Sequence, residues 1–128
     1  MPKFTWSIFT ISVAAIIVFL STVPLKLPPI DHIGLSIDKV LHSIAYFVLA
    51  TCLGLALDFD WKIKNNHGII FIAVFLFGFT LEIIQGYALV YRSFERYDLL
   101  ANTFGILACI LSVKTIKKIV VKSRIFIN

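Results

Sequence analysis

The chain has 128 residues, of which 59% are hydrophobic and 15% are charged, and its mean hydropathy is +0.95. Soluble domains average about 45–50% apolar and 25% charged residues, so this composition excludes an ordinary soluble domain and predicts a membrane protein. The net charge is +5, but no soluble face interleaves basic and aromatic residues, so we expect no nucleic-acid partner. The length predicts a single membrane domain over residues 1–128.

Four apolar segments are long enough to cross a bilayer, which takes about 20 residues. The predicted spans cover residues 4–23, 39–57, 68–88 and 98–113. We interpret the first as a retained anchor, because its apolar run exceeds the roughly 7–15 residues usual in a signal peptide and no small-residue cleavage site follows. The sequence therefore predicts an all-α, polytopic bundle of four transmembrane helices.

The segments between the spans are polar or unsuited to helix. Pro24, Pro28 and Pro29 lie between the first two spans and oppose helix formation. Short polar turns precede the third and fourth spans, and residues 114–128 form a short basic tail. The lysines of this tail share one helical face, which is typical of an amphipathic segment on anionic lipid. A frayed basic tail that only fixes the topology is the alternative. The lysines are Lys114, Lys117, Lys118 and Lys122.

The distribution of basic residues predicts the orientation of the bundle. Four spans place both termini on one side, and that side, with the middle turn, carries eight of the Lys and Arg residues against four on the other side. Basic residues are enriched in cytoplasmic loops. We therefore expect the N- and C-termini to be cytoplasmic.

Polar residues interrupt the apolar spans at one end of the predicted bundle. An ionisable side chain at membrane depth costs about 2.5–3.5 kcal/mol on insertion scales, so such residues usually face protein or a polar ligand. Their spacings of three and four residues place them on one face of each helix. We predict that they form an outward-facing ligand-binding cluster. The residues are Asp38, Lys39, His42, Tyr46, Glu82, Gln85, Arg92, Asp98 and Asn102.

Glu82 is the deepest predicted carboxylate and needs a cation if it is charged. His42 and Glu82 are the candidate catalytic residues, as an acid–base pair. A metal-dependent variant would use His42 with Asp38, Glu82 or Asp98, but a single histidine within the spans argues against zinc. We expect no metal and no cofactor.

Two expectations concern residues with a packing role. Cys52 and Cys109 are expected to pack as small apolar residues. Gly54 and Gly105 lack side chains and should allow neighbouring helices to approach closely.

The motifs "DKVLHSIAYF", "LEIIQG" and "YRSFERYDLLANTFG" resemble those of the VanZ-like family of small bacterial membrane proteins. The shared pattern is D-K-x-x-H-x-x-x-Y, E-x-x-Q, R, D-x-x-x-N and G, over about residues 38 to 105. The outer turn departs from it, since Tyr91 precedes Arg92 where the family commonly has proline. The resemblance implies a multi-pass protein of the bacterial cytoplasmic (inner) membrane, with a link to glycopeptide (teicoplanin) resistance and no settled reaction.

Three functions remain open at the level of sequence. The polar cluster would bind an envelope lipid, a lipid-linked sugar or an amphiphilic antibiotic, with Lys39 and Arg92 contacting phosphate or carboxylate. Alternatively, an intramembrane enzyme would act on a lipid-linked substrate with His42 and Glu82. In the third interpretation, the polar residues are interhelical hydrogen-bond contacts that only hold the bundle together or recruit partners. Nothing in the pattern indicates an oligomeric state.

Overall fold

A computed structural model describes residues 4–23, 37–90 and 94–127 of the chain, with side chains up to residue 122. These residues form helices, and no strand occurs among them. The helices are α1 (Thr5–Thr22), α2 (Ile37–Leu55), α3 (His67–Ala88) and α4 (Arg96–Ile127). A π-helical turn over Ala56–Asp60 continues α2. The predictions for the Pro24–Pro29 region and for Arg92 lie outside the described residues.

All four helices of the described chain are long and apolar enough to cross a membrane. The candidate spans are Thr5–Thr22, Ile37–Asp60, His67–Ala88 and Arg96–Lys122. The prediction of an all-α protein with four potential membrane spans is confirmed, and the chain is a multi-pass membrane protein.

The fourth helix continues beyond the predicted fourth span. The span was expected to stop near residue 113, with a basic tail after it, and α4 continues without a break to Ile127. Residues 114–127 contain neither glycine nor proline, so nothing in their sequence ends the helix. The basic segment therefore extends α4.

The closest helix packing is between α2 and α4. A Cβ atom at Gly105 would collide with the carbonyl oxygen of Ser43, so the missing side chain is what lets the two backbones meet. Gly54 plays the same part against α3, because its Cβ would lie 3.0 Å from Ile70 Cδ1. Cys109 is buried in this core and is not part of a disulfide, as the sequence predicts.

Helix α1 lies at the edge of the bundle and is fixed by polar contacts near both of its ends. Ile17 is its single buried residue. Near its C-terminus, the carbonyl oxygen of Ser21 accepts a hydrogen bond from Gln85 Nε2 at 2.9 Å. Near its N-terminus, Asp60 Oδ2 accepts bonds from the backbone N–H of Ser7 at 2.7 Å and from its hydroxyl at 2.9 Å. These contacts orient α1 along α2 and α3.

A second buried polar cluster, which sequence analysis did not predict, lies at the end where α2 stops and α3 begins. Lys117 forms an ion pair with Asp58, and Asn66 Nδ2 donates to Asp58 Oδ1 and to the Gly54 carbonyl, both at 3.3 Å. Asp58 is 6% exposed and Asn66 is fully buried, although both were expected in a polar surface turn. Asp58 lies within the π-helical turn and is one of its buried residues. Lys117, a residue of the predicted basic tail, therefore contacts the helical bundle.

Candidate functional site

The start of α2, the end of α3 and the start of α4 meet at the end of the bundle opposite Asp58, here called the site end. Hydrogen bonds and ion pairs join the three segments. The predicted polar side chains found there are Asp38, Lys39, His42, Glu82, Asp98 and Asn102. The helical spacings of the sequence therefore identified most of this cluster.

Lys39 is the central cation of the site end. Its Nζ forms ion pairs with Asp98 Oδ1, with Glu95 Oε2 at 2.5 Å and with Asp38 Oδ2 at 3.5 Å. These contacts tie the first turn of α2 to the first turn of α4. Because its charge is already shared among three carboxylates, a phosphate that met Lys39 directly would have to displace them.

The imidazole of His42 is oriented by Asn102. His42 Nδ1 lies 3.0 Å from Asn102 Oδ1. With the amide in this orientation its oxygen accepts from Nδ1–H, and Nε2 is the ring nitrogen that faces the carboxylates of the site. Nε2 faces Asp98 Oδ2 at 3.7 Å and Asp38 Oδ1 at 3.9 Å, separations too long for hydrogen bonds.

Glu82 fastens the end of α3 to the segment that leads into α4. The residue is 1% exposed, and its Oε2 accepts a bond from the backbone N–H of Glu95 at 3.3 Å. Gly86, one turn further along α3, makes room for Phe94, whose Cβ would lie 2.7 Å from a Cβ at this glycine. Neither a hydrogen bond nor an ion pair joins Glu82 to His42 among the described residues, so the predicted acid–base pair is not in direct contact.

Tyr46 and Gln85 share the predicted helix faces but contact other parts of the bundle. The ring of Tyr46 packs against Gly78, where a Cβ would lie 2.7 Å from Tyr46 Cε1. Gln85 donates to α1 through the carbonyl of Ser21. Both residues are 2% exposed, so in this conformation they support the bundle and do not line an accessible surface.

Glu95 belongs to the cluster although it was not among the predicted site residues. It contacts Lys39 through its carboxylate and Glu82 through its backbone N–H. The available signal was an acidic residue close before the predicted fourth span, but it lies ahead of the first helical residue, Arg96, so helical spacing did not identify it.

The exposure of the side chains is graded across the site end. The Glu95 side chain is 49% exposed and that of Asp38 is 34% exposed, whereas that of Asp98 is only 6% exposed. The cluster thus has an accessible rim and a buried floor. A polar group that enters from the rim meets carboxylates first.

Comparison of the chain with protein-family models, with curated proteins and with solved structures gives no match.

Proposed function

We propose that this protein is a VanZ-like component of the bacterial cell envelope. In this proposal, the site end binds the polar group of an envelope lipid, a lipid-linked sugar or an amphiphilic, glycopeptide-type compound. The observation that supports it most is the convergence of charged side chains from α2, α3 and α4 at the site end, where those of Asp38 and Glu95 are partly exposed. The motif resemblance over residues 38 to 105 supports the same assignment.

The charge of the cluster indicates which chemical groups it would bind. Four carboxylates, those of Asp38, Glu82, Glu95 and Asp98, surround Lys39 and His42. Because acidic groups exceed permanent cations, the rim favours amines and sugar hydroxyls, which donate hydrogen bonds to carboxylates. A phosphate-bearing ligand would need a further cation, and Arg92 is our candidate for it.

In the proposed topology, the site end faces outward from the cytoplasmic membrane and both termini are cytoplasmic. The excess of basic residues near the termini supports this orientation. The exposed residues Lys114, Lys118 and Lys122 would then contact anionic lipid of the inner leaflet. A ligand would reach the rim from the outer leaflet.

The test is ligand binding by purified protein in detergent. Phosphatidylethanolamine, phosphatidylglycerol, lipid II and teicoplanin are offered at equal concentration, and bound molecules are counted by native mass spectrometry. The double variant Asp38→Asn/Glu95→Gln removes two rim charges with little change in shape. We expect it to lower the bound fraction of at least one ligand by about tenfold, because a charged hydrogen bond contributes about 1.5–3 kcal/mol.

Asp60→Asn is the matched control, since it makes the same chemical change at the opposite end and keeps an oxygen that can accept from Ser7. Equal binding of all four ligands by wild type, rim variant and control would contradict the proposal.

A second candidate function is catalysis on a lipid-linked substrate. It is favoured by one observation, the position of His42 Nε2, which faces Asp98 Oδ2 at 3.7 Å without a hydrogen bond. An unengaged imidazole nitrogen is suited to act as a general base. Incubation with labelled lipid II and analysis for a product of changed mass distinguishes turnover from binding, and turnover should disappear in His42→Ala.

A further inference from the structure

Three potential metal-ligand atoms converge between the rim and the floor of the site end. They are Asp38 Oδ1, His42 Nε2 and Asp98 Oδ2, and such atoms from the three residues all lie within 4.8 Å of one another. Asp38 and His42 are one turn apart on α2, and Asp98 comes from α4. Two helices thus bring together one imidazole nitrogen and two carboxylate oxygens.

The separations between these atoms suit a shared cation better than direct hydrogen bonds. His42 Nε2 is 3.7 Å from Asp98 Oδ2 and 3.9 Å from Asp38 Oδ1. Two ligands that each lie about 2.0–2.2 Å from a tetrahedral ion are roughly 3.4 Å apart. Small side-chain rotations would therefore bring all three atoms into coordination distance, and Lys39 does not compete for the same oxygen because it holds Asp98 Oδ1.

Asn102 gives the histidine the outer partner that metal-bound histidines usually have. Its Oδ1 fixes the proton on His42 Nδ1, which leaves Nε2 free for a metal. Asn102 is 1% exposed, and its Nδ2 has no hydrogen-bond partner among the described residues. This N–H donor does not ligate a cation, so Asn102 contributes to the site through Oδ1, which holds the imidazole.

Lys39 and the carboxylates that contact it carry an excess of negative charge, which one divalent ion would balance. Lys39 contacts three carboxylates, those of Asp38, Glu95 and Asp98. Ionised, these four groups carry a net charge of about −2, which is costly at membrane depth. A single divalent cation would cancel it.

We propose that Asp38, His42 and Asp98 bind one divalent transition-metal ion of the zinc type, with at least one coordination position open. Imidazole nitrogen together with carboxylates favours such ions over Mg²⁺ and Ca²⁺, which prefer oxygen ligands throughout. From the sequence we expect no metal, because the spans supply a single histidine. In the structure, Asp38 and Asp98 add two carboxylates to that histidine. The site does not depend on the proposed headgroup binding, although its open position would accept a phosphate oxygen.

The experiment uses detergent-purified protein that has been treated with chelator and contains no added lipid. Calorimetric titration with Zn²⁺ or Mg²⁺ is combined with elemental analysis of the washed protein. We expect one Zn²⁺ per chain, at least tenfold weaker binding of Mg²⁺, and at least tenfold loss of Zn²⁺ affinity in His42→Ala and in Asp98→Asn. Wild type without stoichiometric Zn²⁺, or His42→Ala with undiminished affinity, would overturn the site.

Two control variants distinguish Zn²⁺ binding at this site from nonspecific Zn²⁺ binding to other side chains. His67→Ala removes a histidine at the opposite end of the bundle and should leave binding unchanged. Glu95→Gln removes a carboxylate that contacts Lys39 but lies outside the three-atom set, and it should retain stoichiometric Zn²⁺. Loss of binding in either control would contradict the assignment.

A spectroscopic measurement on the wild type keeps the proposal testable if the variants do not fold. Co²⁺ bound to the protein should show the absorption bands of a four- or five-coordinate ion with nitrogen and oxygen ligands. A thiolate charge-transfer band would place the ion at Cys52 or Cys109 and would overturn the site. Zn²⁺ binding without any lipid adduct would refute the proposed function alone.

Discussion

Gly105 determines how closely the two main core helices can approach. Its missing side chain leaves room for the backbone oxygen of Ser43. On the same interface, the Thr51 hydroxyl lies 3.4 Å from Cys109 Sγ, a contact that depends on the close approach of the backbones. Asn102 and Asp98 precede Gly105 by about one and two turns respectively, so this glycine also determines how closely the site residues of α4 meet those of α2.

The variant Gly105→Ala should therefore destabilise the protein, because the added methyl group collides with backbone and not with the end of a flexible side chain. Overpacking of this kind costs about 1–3 kcal/mol, so the midpoint of thermal unfolding in detergent should fall by several degrees. Gly68→Ala is the control, since nothing lies within 4 Å of a Cβ there. A similar midpoint for the two variants would show that the contact with Ser43 is not tight.

The sequence identified site residues wherever a regular helix carried them. Asp38 and His42, like Asp98 and Asn102, are four residues apart, and a polar face at membrane depth must turn toward protein. Glu95 was not predicted as a site residue because it lies just before α4, where helical periodicity does not apply.

Periodicity predicts a face but does not say which neighbour that face meets. Gln85 lies on the same side of α3 as Glu82, yet it donates to Ser21 of α1. Tyr46 continues the face of His42 but packs against Gly78. For the same reason, no hydrogen bond or ion pair joins His42 to Glu82, the candidate acid–base pair, among the residues that the structure describes.

At the scale of whole elements, hydropathy indicates where lipid contact ends and not where a helix ends. It predicted the fourth span to stop near residue 113, whereas α4 extends to Ile127. A helix continues through polar residues as long as neither glycine nor proline interrupts it. The ion pair between Lys117 and Asp58 shows that the added turns still contact the bundle.

The contact between Lys117 and Asp58 gives a prediction about the end of the bundle opposite the site. Removing one member of a largely buried ion pair costs about 3–5 kcal/mol, because the other charge loses its partner. Asp58→Asn and Lys117→Met should each lower the unfolding midpoint, and the double variant should lose less than the sum of the two.

The matched control is Lys118→Met, since this neighbouring lysine is exposed. Additive losses in the double variant, or a loss as large in Lys118→Met, would refute the coupling between α4 and the turn that follows α2.

For the whole molecule, the sequence predicted the number of spans but left the packing of the helices open. Amphipathicity is weak in α1 and α3, where most residues of either face are apolar. The sequence of such a helix indicates that the segment enters the membrane, but it does not indicate which face of the helix packs against the core. The close helix contacts at Gly54 and Gly105, together with the ion pairs at both ends of the bundle, determine how the helices pack.

The proposed orientation of the bundle predicts opposite labelling of its two ends. In a background without Cys52 and Cys109, single cysteines replace Tyr97, which is 73% exposed at the site end, and Lys64, which is exposed at the other end. An impermeant maleimide should label Tyr97→Cys in intact cells but Lys64→Cys only after the membrane is opened. The reverse pattern would contradict cytoplasmic termini.

The attachment of α1 by its two ends has a consequence for how this protein can vary. Ile17 is the single buried residue between the hydrogen bonds at Ser7 and Ser21, and most of the surrounding side chains point away from the bundle. Exchanges among aliphatic residues along that outer surface should leave the architecture intact, whereas loss of the Ser7 hydroxyl removes one of the two hydrogen bonds that hold the N-terminal end to Asp60. Mutational tolerance should thus be high in the middle of this helix and fall sharply at its N-terminal anchor.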